Sequence, residues 1–171
     1  GSAILLVEYY ARLFEGQAMR ASTLKGLLLH TADDLLRPGP DYQTGWGLIN
    51  VESAAQMIAL HAQAGQQEQV LVESRMDRQE NVQTFRVTLD HPNGVAFTLC
   101  WTDPDAWPTR RHDYRTPVLV HDLDLRVRQG DRTFLPYTLD PLNPERNAAP
   151  GDNVVDNVEQ VVLSNAEPGL Y

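Results

Sequence analysis

Only one cysteine occurs in the sequence, so no disulfide can form within the chain. Cys100 lies in the alternating apolar segment Val95-Ala96-Phe97-Thr98-Leu99-Cys100-Trp101, where a buried structural thiol is expected rather than a reactive one. Long hydrophobic runs are also missing. The longest, Ala3-Ile4-Leu5-Leu6-Val7, falls far short of the roughly 20 apolar residues that a membrane-spanning helix needs. Positive charge is in deficit: 14 Lys and Arg face 23 Asp and Glu, the formal net charge is −9, and Lys25 is the only lysine. Such a balance argues against nucleic acid as a partner. Glycine-rich phosphate loops, nucleophile-elbow motifs and paired-cysteine zinc motifs are absent as well. Gly1-Ser2-Ala3 carries no positive charge, so no secretory signal is read there. What remains, 42% hydrophobic and 22% charged residues, is the composition of a folded globular protein and excludes general disorder.

The hydrophobic period changes along the chain. Residues 1–62 read at helical spacing and residues 68–171 at strand spacing, which divides the chain near Ala64-Gly65-Gln66-Gln67 into a 1–64 and a 65–171 domain. Ile4, Leu5, Tyr9 and Leu13 are predicted to share one helical face that ends near Gly16. Ser22 offers an N-cap for a second helix carrying Leu24, Leu27, Leu28 and Thr31 at i, i+3, i+4 and i+7. Arg37-Pro38-Gly39-Pro40 stops further helix. Asn50 is a second N-cap, before a helix that turns Ala54, Ala55, Ile58 and Ala59 toward a partner. Beyond Val70, Phe85, Val87 and Leu89 alternate with polar residues. His91-Pro92-Asn93-Gly94 makes a turn, and Val95, Phe97, Leu99 and Trp101 alternate again, a hairpin signature. Val118 to Val127, Phe134 to Tyr137 and Asn157 to Leu163 supply further strands. The whole reads as α+β, with an antiparallel, jelly-roll-like β-sandwich in the second half.

The most specific local pattern is Gly45-Trp46-Gly47-Leu48-Ile49-Asn50 leading into Val51-Glu52-Ser53-Ala54-Ala55. It resembles the closing segment of a subtilisin-like serine protease domain, where such a turn feeds the last helix. The second half extends the resemblance. Leu99-Cys100-Trp101-Thr102-Asp103-Pro104, Leu119-Val120-His121-Asp122-Leu123-Asp124-Leu125 and Asp156-Asn157-Val158-Glu159-Gln160-Val161 occur in that order. Together they look like the C-terminal sandwich of a subgroup of bacterial subtilases, similar in shape to the P domain of proprotein convertases. His121 and Asp156 depart from that pattern, each standing where asparagine is usual. The resemblance implies that residues 1–64 are the closing helices of a catalytic domain and residues 65–171 most of a sandwich lacking its last strand. It also implies an extracellular or cell-envelope location, and protein or peptide substrates cleaved by a larger protein in which this chain packs on its own catalytic domain.

The chemistry itself is missing. A subtilase needs Asp, His and Ser converging with an asparagine oxyanion donor, and no Gly-Thr-Ser occurs here. Ser2 falls after the position of the nucleophile in the resemblance. His30, within Leu27-Leu28-Leu29-His30-Thr31, reads as a packed or capping histidine rather than a base, despite Asp33 and Asp34 nearby. The chain alone is expected to be inactive.

Carboxylates gather instead in pairs at expected strand ends: Asp103 with Asp105, Asp122 with Asp124, and Asp152 with Asp156. Asp122 and Asp124 share one strand face, and oxygen-rich loops of this kind suit calcium. The alternative is an exposed polar face, or turn carboxylates bonding to backbone amides. The resemblance favours calcium, because that subgroup carries it in or near the sandwich. The candidate ligands are Asp122, Asp124, Asp152 and Asp156, and calcium there predicts a melting temperature sensitive to chelators. Zinc through His112 and His121 is a lesser option. The basic loop Arg110 to Arg115 reads as solvated or as a contact to substrate or to the catalytic domain. Two other function classes fit the residues: a non-catalytic binding module presenting Trp101, Trp107, Tyr114 and Tyr137, and a pseudoprotease scaffold.

Overall fold

A computed structural model of the chain describes residues 1–64, 70–106 and 116–171. Gly65, Gln66 and Gln67 of the expected boundary, Trp107, His112, Tyr114 and the rest of the basic loop lie outside the described residues. Three helices come first: α1 (Ser2–Leu13), α2 (Ala21–His30) and α3 (Val51–Ala64). Eight short strands follow: β1 (Thr88–Leu89), β2 (Asn93–Cys100), β3 (Val127–Gln129), β4 (Arg132–Phe134), β5 (Tyr137–Thr138), β6 (Ala149–Pro150), β7 (Val158–Ala166) and β8 (Gly169–Leu170). They form four antiparallel pairs, β1 with β8, β2 with β7, β3 with β4 and β5 with β6. No helix among the described residues is long and apolar enough to cross a membrane.

The helical half closes around Leu6, Tyr10, Met19, Leu27, Ala54 and Ile58. Full burial of Leu6 or Ile58 contributes about 2 kcal/mol each. The inward face of α1 is therefore the Leu6 and Tyr10 stripe, not the predicted face. Ile4 and Leu5 are 71% and 61% exposed. The helix is apolar on several sides, so its period permits more than one stripe. Packing against α3 selects the one in which Tyr10 stacks on Phe14 at 4.3 Å between ring centroids.

Helix α2 also starts differently from its sequence expectation. Arg20, not Ser22, precedes the first turn in an extended conformation, and no side chain of the local sequence caps it. Glu73 does so from 53 residues away: its Oε1 accepts from the Arg20 amide at 3.0 Å and from the Thr23 hydroxyl. A carboxylate there answers the unpaired amides and positive end of the helix. For α3 the sequence expectation holds, since Asn50 Oδ1 accepts from the Ser53 amide at 2.9 Å.

The turn ahead of α3 is assembled around one buried carboxylate. Asp41 is 2% exposed and accepts from the amides of Gln43 and Thr44, both at 2.7 Å, while the Asp41 and Gly45 backbones bond reciprocally at 2.9 Å. Gly47 has φ +98°, and a Cβ on it would sit 2.1 Å from the Asp33 carbonyl oxygen. That closeness lets Asp33 and Leu48 exchange backbone bonds at 2.8 and 2.9 Å. Asn50 Nδ2 then donates to Asp33 Oδ1 at 2.9 Å.

In the strand half the longest pairing is β2 with β7, running from Asn93 opposite Ala166 to Cys100 opposite Val158. The hairpin predicted across His91-Pro92-Asn93-Gly94 does not form: β1 pairs with β8 and β2 with β7. Alternation marks a strand without naming its partner. The strand that β2 joins carries the buried run Val158 to Val161, whereas in the Phe85 segment Phe85 is 52% exposed. The predicted 118–127 strand shrinks to β3, which turns into β4 through Gly130 at φ +56° and Asp131.

The two halves meet where α2 lies on β2. A Cβ on Gly26 would approach Cys100 Cβ to 3.1 Å. His30 Nδ1 lies 2.9 Å from Thr98 Oγ1, which also accepts from Gln160 Nε2 at 3.0 Å. Lys25 Nζ donates to Asn157 Oδ1, and Asn157 Nδ2 donates to the Trp101 carbonyl at 2.8 Å.

Gly47→Ala is expected to cost about 3 kcal/mol in urea denaturation, because strained φ and a backbone clash combine. Gly45→Ala, at φ +62° with nothing within 4 Å of its Cβ, should cost about 1 kcal/mol. Equal losses at the two positions would refute the close-approach account of Gly47.

Candidate functional site

Among the described residues, no acid–base pair is built around His30 or Ser2. His30 ends α2, and its ring bonds to Thr98 rather than to a carboxylate. Burial lowers its pKa, so it is held neutral. Asp33 serves Asn50, and Asp34 Oδ2 accepts from the Gly39 amide at 2.8 Å. Ser2 is exposed at the start of α1. Cys100 is half-buried, and burial raises its pKa against the lowering effect of Lys25, as befits an unreactive structural thiol.

The acidic pairs have separate fates. Asp103 binds backbone: its carboxylate accepts from the amides of Val120 at 2.7 Å and His121 at 2.9 Å, and from His121 Nδ1 at 3.1 Å. Partial burial pushes its pKa up, but these donors outweigh burial and hold it below the usual carboxylate range. Trp101 Nε1 donates to the His121 carbonyl at 3.0 Å, so the indole is buried with its polar atom satisfied. Asp156 stands apart on the Asn153 loop, where Asn153 Nδ2 reaches its Oδ2 at 3.3 Å.

Asp122, Asp124 and Asp152 do come together, around a residue that sequence reasoning missed. Arg126 Nη2 donates to Asp124 Oδ1 at 2.7 Å and to Asp152 Oδ1, and Arg126 Nη1 donates to the Leu125 carbonyl at 3.0 Å. Arg126 Nη1 also lies 4.0 Å from Glu159 Oε2. Glu159 projects from β7 and is fully buried. Its Oε2 accepts from the Leu125 amide, and its Oε1 has no hydrogen-bond partner among the described residues. Burial is the main reason that Glu159 is pushed up to about 7. The Leu125 amide and Arg126 oppose the shift, and Asp124 and Asp152 add to it. Burial and the charges of Asp124 and Asp152 raise Asp122 in the same way, against Arg126. The available signal for Glu159 was a carboxylate between Val158 and Val161, at the start of a strand buried on both faces.

Among the described residues, no three His, Cys, Asp or Glu side chains converge as a metal-ligand set. Of the four aspartates named as candidate calcium ligands, Asp124 and Asp152 are bonded to the Arg126 guanidinium and Asp156 meets Asn153 Nδ2. Comparison of the chain with protein-family models, with curated proteins and with solved structures finds no match in any of the three.

The Glu159 shift fixes a sign. Its pKa is about 7 folded against an ordinary 4.5, so its contribution to stability is complete below about pH 4.5 and is lost as pH rises through 7. Glu159→Gln should therefore raise the melting temperature at pH 8 by about 5 °C and leave it nearly unchanged at pH 4.5. Thermal melts at the two pH values check this. A variant less stable than wild type at pH 8 would contradict it.

Proposed function

We propose that this chain is the C-terminal part of a secreted or envelope-associated subtilisin-like serine endopeptidase. On this reading residues 1–64 are the closing helices of the catalytic domain, and residues 65–171 are most of a jelly-roll-like sandwich packed on it. The larger protein hydrolyses peptide bonds of protein or peptide substrates through an acyl-enzyme, with its Asp, His and Ser upstream of Gly1. The chain itself contributes packing and holds no nucleophile.

One observation carries the reading beyond the motifs: the helical half leaves large apolar surfaces uncovered. Ile4, Leu5, Leu48 and Ile49 are each more than half exposed. A cleft of about 370 Å³ between α2 and the glycine-bracketed turn is lined by Leu24, Leu28, Leu29, Trp46 and Ile49. On this reading the rest of the catalytic domain covers that surface. Residues 1–64 also contain the one feature that the resemblance makes specific, the Asp33–Gly47 approach that sets the direction of α3. Of the four aromatic contacts named for the binding-module alternative, Trp101 is buried with its indole nitrogen already bonded, and Trp107 and Tyr114 lie outside the described residues.

Reading the coding frame upstream of Gly1 tests the proposal. Gly-Thr-Ser two or three helical turns before Leu5, with a distant Asp and His, is the expected result. The longer protein should then cleave casein, and exchanging that serine for alanine should reduce turnover by about 10⁴-fold or more. An upstream region without a subtilase domain overturns the proposal.

A further inference from the structure

We propose that Arg126 is the structural cation of the strand half, tying the segments before β3 and β7 together and leaving no place for a metal ion between Asp124 and Asp152. The inference rests on placement and holds whether or not the chain belongs to a protease. Arg126 lies just before β3, Asp152 in the loop before β7, and Glu159 inside β7, and β3 and β7 belong to different pairs. No ladder bond joins these two strands. What joins their segments is side-chain chemistry: Arg126 to Asp152, and the Leu125 amide to Glu159 Oε2. A guanidinium suits the task because its planar fork carries five donors. Here it serves Asp124, Asp152 and its neighbour's carbonyl at once while facing Glu159.

Charge makes the role necessary. Asp124 and Asp152 pair with Arg126 directly and are 55% and 61% exposed, whereas Glu159 is fully buried 4.0 Å from Arg126 Nη1 and keeps one oxygen without a partner among the described residues. Removing the guanidinium would leave the Glu159 carboxylate buried with no opposite charge facing it. With the guanidinium present, a divalent ion would have to displace two direct ion pairs, Arg126 with Asp124 and Arg126 with Asp152.

Thermal melts of the full chain in millimolar calcium and in excess chelator test this. The wild type should melt at the same temperature in both. Arg126→Gln should melt about 5–10 °C lower. At pH 8, where Glu159 is ionised, that penalty should shrink by at least half in a Glu159→Gln background, because the buried charge answered by Arg126 is gone. Should Arg126→Gln fail to fold, Arg126→Lys and the wild-type calcium response carry the test. The lysine variant should lose stability because a point charge cannot span the same carboxylates. A wild-type melt raised by calcium, an Arg126 variant as stable as wild type, or a penalty undiminished beside Glu159→Gln would each overturn the proposal.

Discussion

The structure depends on the contact of α2 with β2. Helix α2 belongs to two interiors at once: Leu27 points into the helical core, and Gly26 brings the same helix close enough to Cys100 that an added Cβ would press on it at 3.1 Å. A helix can approach a strand that closely only where a side chain is missing. The approach places His30, Thr98 and Gln160 in one hydrogen-bonded row, and sets Lys25 on Asn157, which in turn holds the end of β2 through the Trp101 carbonyl. Without this seam the helices would expose a further apolar face, and the β2–β7 pair would be a two-stranded ribbon, marginal by itself.

The acidic character of the chain takes on meaning inside that frame. Most of its informative carboxylates act as acceptors for main-chain amides rather than as ligands or catalysts. Asp41 organises the turn before α3, Glu73 receives the first amide of α2, Asp103 holds Val120 and His121, Asp77 and Asp140 close loops on Gln79 and Leu142, and Glu159 takes the Leu125 amide. Short strands leave many amides outside ladders, and buried amides without partners are costly. Carboxylates supply the partners. Glu159 is the case where the supply goes too far, one oxygen satisfied and the other sequestered, and Arg126 is the compensating charge.

These features were legible in the sequence to very different degrees. The Asn50 cap and the second helix with Leu24, Leu27 and Leu28 follow from local patterns and appear as expected. So does the packed histidine at the end of α2. The face of α1 was not legible, because a helix that is apolar nearly all round fixes its inner stripe only by its neighbour. Nor were the strand partners, since alternation is the same whether Leu89 pairs with the next strand or with Gly169, eighty residues later. The acidic site was half legible. Spacing brought out Asp122, Asp124 and Asp152, but included Asp156, and missed Arg126 and Glu159 because their roles arise from distant segments meeting.

That division also bears on where chemistry belongs. A side chain free for catalysis must be reachable and uncommitted, yet the polar groups here that are perturbed by their surroundings are already engaged in holding backbone or one another. His30 is buried against a threonine, Asp103 is saturated by amides, and Glu159 lies inside a strand behind an arginine. The uncommitted surface is of the opposite kind, apolar and present in both halves: Ile4, Leu5, Leu48, Ile49 and the cleft beside Trp46 in the helical half, Val82, Phe85, Leu142 and Leu170 in the strand half. Exposed apolar side chains are thus divided between the halves, while the polar groups whose titration is most perturbed are spent on structure. Trp101 follows the same rule, buried with its indole nitrogen bonded to the His121 carbonyl.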